Sequence, residues 1–213
     1  MNRRAHSQNW FNVSIVVITL NEEKNIGVLL DSLLKQEYPS SAFEVIVVDG
    51  GSKDDTQQIV HAYHEKGNVK LVVDQGGSIT SSRNKGIQHA KYPSIAFTDA
   101  DCIAPPNWLS VLVEGYVKHS SQHLKLAGVG GANIPPEQTT SFVDAVGIAF
   151  DSFLGSLGSL QAKPFAVDKK VYSISCANSF YSKKALEDVG LFSEDLGNQG
   201  EDWEIGYKLQ QKG

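Results

Sequence analysis

Four short runs of β-branched and aliphatic residues, each followed by a stretch with helical spacing, constrain this chain more than any other feature. Val13 to Leu20 reads as a buried strand. After Asn21-Glu22-Glu23 the period changes: Ile26, Leu29, Leu30 and Leu33 fall at i, i+3, i+4 and i+7, one face of a helix. Asn21 and the two glutamates suit a helix start, where unpaired N–H groups favour acceptors and negative charge. Pro39 closes this unit. Glu44 to Val48 is a second strand ending at Asp49, Gly50-Gly51-Ser52 a tight turn, and Asp54 or Asp55 the cap of a helix with Ile59, Val60 and Tyr63 inward. Lys70 to Val73 is a third strand, and Gly76-Gly77-Ser78 opens a loop into a helix near Thr80 to Ala90. Ser94 to Thr98 is a fourth strand, stopping at Asp99-Ala100-Asp101. Buried strands alternating with helices predict an α/β fold: a mainly parallel sheet with helices on both faces and right-handed crossovers.

In such sheets ligands sit beyond the carboxyl ends of the strands. Polar residues fall at three of those ends: Thr19 to Asn21, Asp49, and Asp99 to Asp101. The second half is less regular. Pro105-Pro106-Asn107 precedes a helix with Leu109, Leu112, Val113 and Tyr116 on one face. Lys125 to Ile134 reads as a strand, Phe142 to Leu154 as a helix and Gly155 to Lys170 as a loop. Val171 to Cys176 reads as a strand, Ser182 to Val189 as a short helix capped by Gly190, and Asp202 to Lys212 as a last helix.

Composition narrows the function classes. With 19 basic and 24 acidic residues the formal charge is −5, which argues against a general nucleic-acid binder. The two cysteines, Cys102 and Cys176, form neither a zinc-type spacing nor a disulfide framework, so a reducing compartment is the default. Both read as packing. No apolar run approaches the ~20 residues that cross a bilayer, and the stretch after Arg3-Arg4 is too short and polar for a signal peptide. The expected address is the cytoplasm, with docking on the inner face of a membrane left open. Residues 1–12 read as a tail and 13–213 as one domain.

Asp99-Ala100-Asp101 is the sharpest chemical feature. Two carboxylates two positions apart on extended chain point to one side and repel unless a cation or donors neutralise them. Mg²⁺ or Mn²⁺, shared with substrate phosphates, would do so. The alternative is a turn in which both side chains bond local N–H groups.

Context decides between them. Val13-Ser-Ile-Val-Val-Ile-Thr-Leu-Asn-Glu-Glu, Val45-Ile-Val-Val-Asp49-Gly-Gly-Ser-Lys-Asp-Asp-Thr56, Ser82-Arg-Asn-Lys-Gly86, Phe97-Thr-Asp-Ala-Asp101 and Gly200-Glu-Asp-Trp-Glu204 occur in this order. Together they resemble a family-2 glycosyltransferase of the GT-A fold, over roughly residues 13 to 213. The resemblance implies an inverting, metal-dependent transferase acting on a nucleoside-diphosphate sugar, with UDP favoured over GDP or dTDP. It implies a hydroxyl acceptor on a lipid-linked glycan, a polysaccharide or a protein glycan.

By position, the resemblance makes Asp49 the acceptor of a hydrogen bond from the nucleobase, with Thr19, Asn21 and Glu23 lining the same pocket. Arg83 braces the aspartates and the diphosphate region, Asp99 meets the ribose, and Asp101 is the metal ligand. Asp202 is the general base, with Glu201 beside it. Each has a bland alternative: Asp49 as the holder of the Gly50-Gly51 turn, Arg83 as a structural partner of the aspartates, Glu201 and Asp202 as helix caps, Asn178 as a donor-sugar contact or a turn holder, Trp203 as core or acceptor-site wall. Leu20 stands where many relatives carry Tyr, and Ser193 replaces a common Asp. The Gln-x-x-Arg-Trp motif of processive synthases is absent, and relatives often continue beyond the position of Gly213, so the chain reads as truncated there.

Two other classes compete. A nucleotidyltransferase would carry a Gly-rich basic loop after the first strand, where Asn21-Glu22-Glu23 is acidic. A non-catalytic nucleotide-sugar-binding or assembly domain would keep the pocket without turnover.

Overall fold

The computed structural model describes residues 10–65, 67–122, 125–134 and 168–212. Strands β1 (Val13–Thr19), β2 (Phe43–Asp49), β3 (Val69–Val73) and β4 (Ser94–Asp99) pair in parallel in the order β3-β2-β1-β4. Side chains alternate across the sheet: Val13, Ile15 and Val17 enter one core and Val16 the other. The first core is covered by α1 (Ile26–Leu34) and α2 (Thr56–His64), which supply Leu29, Leu33 and Val60. On the opposite face α3 (Ile79–His89) supplies Ile87. It lies so close to β1 that a Cβ on Gly86 would overlap Val16 Cγ1. Helix α4 (Trp108–Ser120) completes the first face through Leu109 and Leu112.

The predicted parallel sheet with helices on both faces is therefore present, and its far edge differs in detail. Lys125 to Ile134 contracts to β5 (Gly128–Gly130), and the next strand is β6 (Ser179–Ser182), antiparallel to both β4 and β5. Val171 to Cys176 forms no strand. Its polar groups are taken by the last helix: Ser173 Oγ donates to the Asp202 carbonyl at 2.9 Å and the Cys176 N–H to Asp202 Oδ1 at 3.0 Å. With its N–H held by the Asp202 side chain, Cys176 has no backbone donor left for a strand ladder. β6 pairs instead because Phe180 and Tyr181, both buried, fill the two cores in alternation. Helix α5 (Lys183–Asp188) follows, with the Ser182 side chain as its N-cap, and α6 (Glu201–Lys212) ends the described chain. The helix expected over Phe142 to Leu154 lies outside the described residues. So do most of the loop expected over Gly155 to Lys170 and the first nine residues of the expected tail.

The end of the sheet away from the strand carboxyl termini holds a buried acid. Glu44 is 1% exposed and accepts from Ser14 Oγ at 2.7 Å, the Lys91 N–H at 2.9 Å and Lys70 Nζ at 3.1 Å. Burial alone would raise its carboxyl; these donors and the Lys70 charge outweigh that and hold it below its usual value. A carboxylate with a lowered folded-state pKa stabilises the fold above its unfolded pKa and loses that contribution as the pH falls through the folded value. Glu44→Gln is expected to cost about 1–3 kcal/mol at neutral pH and to flatten the acid limb of a stability-versus-pH curve. An unchanged acid limb would contradict this.

Candidate active site

The register brings three strand ends to one level. Thr19 lies opposite Asp49, and Ile18 opposite Asp99. The chain leaves β3 on one side of β1 and returns as β4 on the other, which opens the crevice of an α/β sheet between neighbouring strand ends.

On the β1–β2 side the residues form a braced rim. Asp49 is fully buried, and its Oδ1 accepts from the Gly51 N–H at 2.9 Å, the Ser52 N–H at 2.8 Å and Gln57 Nε2 at 2.6 Å; Ser52 Oγ donates to Oδ2. The carboxylate expected to meet a nucleobase is thus engaged in holding the Gly50-Gly51 turn, the bland alternative for it. Gly51 sits at φ +100°, which the turn needs and only glycine adopts without strain. Asn21, at φ 56°, accepts from the Lys53 N–H through Oδ1 at 2.9 Å, and its own N–H donates to Ser52 Oγ at 2.8 Å. Glu23 accepts from the Asp55 N–H at 3.2 Å and donates its N–H to Asp54 at 3.1 Å. Asn21 and Glu23 therefore tie the β1–α1 loop to the β2–α2 loop. Among the described residues Thr19 Oγ1 is buried without a partner.

The β4 side gathers charge. Arg83, on α3, is 3% exposed and donates through Nη2 to Asp99 Oδ1 at 3.3 Å; Glu201 Oε1 lies 3.6 Å from the same nitrogen. Its guanidinium also stands 5.5 Å above the Phe97 ring. Burial disfavours its charge, but Asp99, Asp202 and Glu201 outweigh that and hold it firmly cationic. Arg83 Nε and Nη1 are nevertheless buried with no partner among the described residues, an arrangement that costs free energy unless an acceptor arrives. Asp99 remains 36% exposed. Its carboxyl is raised by burial; Arg83 opposes the shift, and the charges of Asp101 and Asp202 add to it. Asp101 is exposed at the mouth. On α6, Glu201 and Asp202 occupy the first turn, where negative charge is favoured. The Cys176 N–H holds one Asp202 oxygen.

Arg83, Asp99, Asp101, Glu201 and Asp202 are thus brought together, while Thr19, Asn21, Glu23 and Asp49 form the adjoining rim. Asn178 turns out to hold structure: it accepts from Trp108 Nε1 and donates to the Ala132 carbonyl, both at 2.9 Å. Trp203 is 65% exposed and not core. Two participants escaped the sequence reading. Cys176 packs in the second core as read, but from a loop and not a strand, and it lies against Arg83 and Asp202, its thiol pushed well up by burial. Asp74, at the end of β3, accepts from Ser81 Oγ, Ser82 Oγ and Lys85 Nζ and so fixes the start of the helix that carries Arg83. A strand-end acid was the available signal for Asp74, the same one that marked Asp49.

The donors at the mouth are all hard oxygens, which suits Mg²⁺ or Mn²⁺. Among the described residues no group of three or more His, Cys, Asp or Glu is placed to hold a metal unaided. Such an ion takes one or two carboxylates and completes its shell from water and phosphate, so Asp101 with Asp99 fits a shared ion.

Residues 14–190 match the family "Glycosyl transferase family 2". The chain belongs to that family. It is 36% identical over 126 residues to the poly(ribitol-phosphate) beta-N-acetylglucosaminyltransferase TarS of Staphylococcus aureus, a match covering 57% of this chain and 22% of the relative. It is 30% identical to the glycosyltransferase AglE of Haloferax volcanii, covering 89% of this chain and 58% of the relative. The chain therefore spans between about a fifth and three fifths of the length of these curated relatives. Among solved structures, S. aureus TarS 1-349 in complex with UDP superposes at a TM-score of 0.67 and 25% identity, covering 93% of this chain and 55% of that one. The mannosyltransferase PcManGT from Pyrobaculum calidifontis shares the fold at a TM-score of 0.70 and 21% identity, covering 97% of this chain and 54% of that one. The fold is thus that of GT-A family neighbours. No helix among the described residues is long and apolar enough to cross a membrane.

Proposed function

We propose that residues 13–213 form the donor-binding and catalytic unit of an inverting, metal-assisted glycosyltransferase that uses a UDP-sugar and a hydroxyl acceptor in glycan or polysaccharide synthesis. The observation that carries this reading is the buried Arg83 guanidinium, with two unpartnered nitrogens at the crevice where Asp99, Glu201 and Asp202 meet. A diphosphate oxygen is the acceptor those nitrogens lack. A divalent ion bound at Asp101 would offset charge on the diphosphate leaving group. Arg83 would share that task from the protein side. Asp202 would take the proton of the acceptor hydroxyl as the acceptor oxygen bonds to the anomeric carbon, the carbon–oxygen bond to the diphosphate breaks, and UDP departs. Thr19, Asn21, Glu23 and the Asp49 turn would wall the nucleoside end. UDP, rather than GDP or dTDP, is favoured by the complexes of TarS with UDP and UDP-GlcNAc.

A thermal-shift panel of UDP, GDP and dTDP with and without Mn²⁺ tests this. UDP plus Mn²⁺ at about 100 times its Kd is expected to raise the melting temperature by about 5–10 °C, and Asp101→Ala to remove most of that rise. Equal shifts for every nucleotide, independent of metal, would sink the donor-site assignment.

A further inference from the structure

Arg83 is followed on α3 by a second buried polar residue, which the mechanism leaves unused. Asn84 is 5% exposed. Its Nδ2 donates to the Phe192 carbonyl at 2.9 Å, and its Oδ1 accepts from the Phe192 N–H at 3.0 Å. One amide side chain thus pairs with both backbone groups of a residue far along the chain, as a neighbouring strand would. Nδ2 also reaches Glu194 Oε1 at 3.2 Å. Asn is a poor helix former, so its place within α3 points to these bonds. A turn earlier, the Thr80 N–H and Oγ1 donate to the Gly197 carbonyl at 3.3 and 3.2 Å, and the Ile79 N–H donates to Asn198 Oδ1 at 2.9 Å. The loop so held is strained: Leu191 sits at φ 60°, which a bulky side chain rarely adopts. Such strain persists only where the surroundings over-determine it.

The same loop is tied to α6. Ser193 Oγ donates to Glu204 Oε1 at 2.6 Å, and Lys208 Nζ donates to Ser193 Oγ at 2.8 Å and to the Leu191 carbonyl at 2.9 Å. Contacts therefore run from α3, through residues 191–198, to the helix whose first turn holds Glu201 and Asp202. Two other devices act nearby. Ser173 and the Cys176 N–H hold Asp202 from the opposite side, but among the described residues no hydrogen bond joins 171–176 to α3. Arg83 stands 3.6 Å from Glu201, beyond hydrogen-bond distance. The Phe192 ring is buried and lies 5.9 Å from the Phe97 ring; that packing sets the depth of the loop, and the Asn84 pair sets the orientation of its backbone.

We infer that Asn84 is a positioning residue for sugar transfer: by pairing with Phe192 it sets where Glu201 and Asp202 stand relative to Arg83. This rests on the reading of Asp202 as the base. Adjacent residues of one helix then serve the two halves of the reaction, Arg83 at the diphosphate and Asn84 through the loop that delivers the base.

Amide hydrogen exchange by NMR on the whole chain, together with UDP release from UDP-GlcNAc in Mn²⁺, tests the inference. In Asn84→Ala the Phe192 amide is expected to exchange about tenfold faster or more. So is the Cys176 amide, which Asn84 does not touch and which reports the placement of Asp202. The kcat for UDP release should fall about 10–100-fold, the scale of a misplaced catalytic group, with KM for UDP-GlcNAc nearly unchanged. In an Asp202→Asn background Asn84→Ala should add little further loss, because a residue acting through the base has nothing left to position. Faster exchange confined to residues 192–198, with Cys176 as in the wild type, would make Asn84 the holder of its own loop and overturn the inference. So would a full further loss in the Asp202→Asn background. Should Asn84→Ala not fold, Asn198→Ala tests the exposed end of the same clamp: a smaller change in the same direction at Cys176 and in kcat supports the inference, and wild-type values for both overturn it. Wild-type turnover in Asp202→Asn removes the base reading itself. A loss in Asp202→Asn with wild-type kcat in Asn84→Ala removes the positioning role alone.

Discussion

Asp202→Asn is expected to lower the rate of sugar transfer by about 10²–10⁴-fold, the contribution of a positioned general base. The amide keeps the oxygen that accepts from the Cys176 N–H, so the first turn of α6 stays in place. What is lost is the ability to take a proton. The expected signature is a fall in kcat, with the UDP–Mn²⁺ thermal shift retained. Metal-dependent release of UDP from its sugar should slow in parallel. Wild-type turnover in Asp202→Asn would return Asp202 to the role of a helix-start charge, as would a wild-type protein that binds UDP and never releases sugar.

Arg83→Ala is expected to have the second large effect, visible in two measurements. Removing the guanidinium takes from the crevice the cation that Asp99, Glu201 and Asp202 share. Breaking a fully buried pair costs about 3–5 kcal/mol. Asp99 remains 36% exposed, so solvent screens part of the loss, and about 1–2 kcal/mol is expected. UDP affinity should fall by at least about 100-fold, because charge-assisted bonds from Nε and Nη1 to a diphosphate are worth about 1.5–3 kcal/mol each. Arg83→Lys should not restore binding, since an ammonium cannot bond Asp99 and a diphosphate at once from a planar fork. A variant that keeps full UDP affinity while losing stability would make Arg83 a structural residue only.

Much of the first hundred residues was legible because burial on both faces writes β-branched runs into the strands, and each run ends at a polar residue. Thr19, Asp49 and Asp99 could be assigned to one level from that alone. The second half resisted for a physical reason. Val171 to Cys176 has the composition of a strand, yet its polar groups belong to α6, whereas the short Ser179–Ser182 strand has only Phe180 and Tyr181 to announce it. The motifs pointed to side chains that line the crevice and its rim without saying how each is held. Asp49 is absorbed by its own turn, Asn21 and Glu23 by the facing loop, and Asn178 by Trp108, because hydrogen-bond partners distant in sequence leave no periodic trace. The burial of Arg83 depends on α3 lying tight against β1, a closeness whose one sequence mark is Gly86.

The cross-bracing of the β1–α1 and β2–α2 loops has a thermodynamic consequence. Five bonds run between residues 21–23 and 52–56, from Asn21 to Ser52, Lys53 to Asn21, Glu22 to Thr56, Glu23 to Asp54 and Asp55 to Glu23. Their ordering entropy is met once, when the chain folds, and not again when a nucleotide arrives. A loop that must be immobilised at each encounter gives up part of its affinity to that step. This rim gives up little, so a calorimetric titration of UDP should show a small entropic penalty, and loosening the rim by Asn21→Gly should enlarge it.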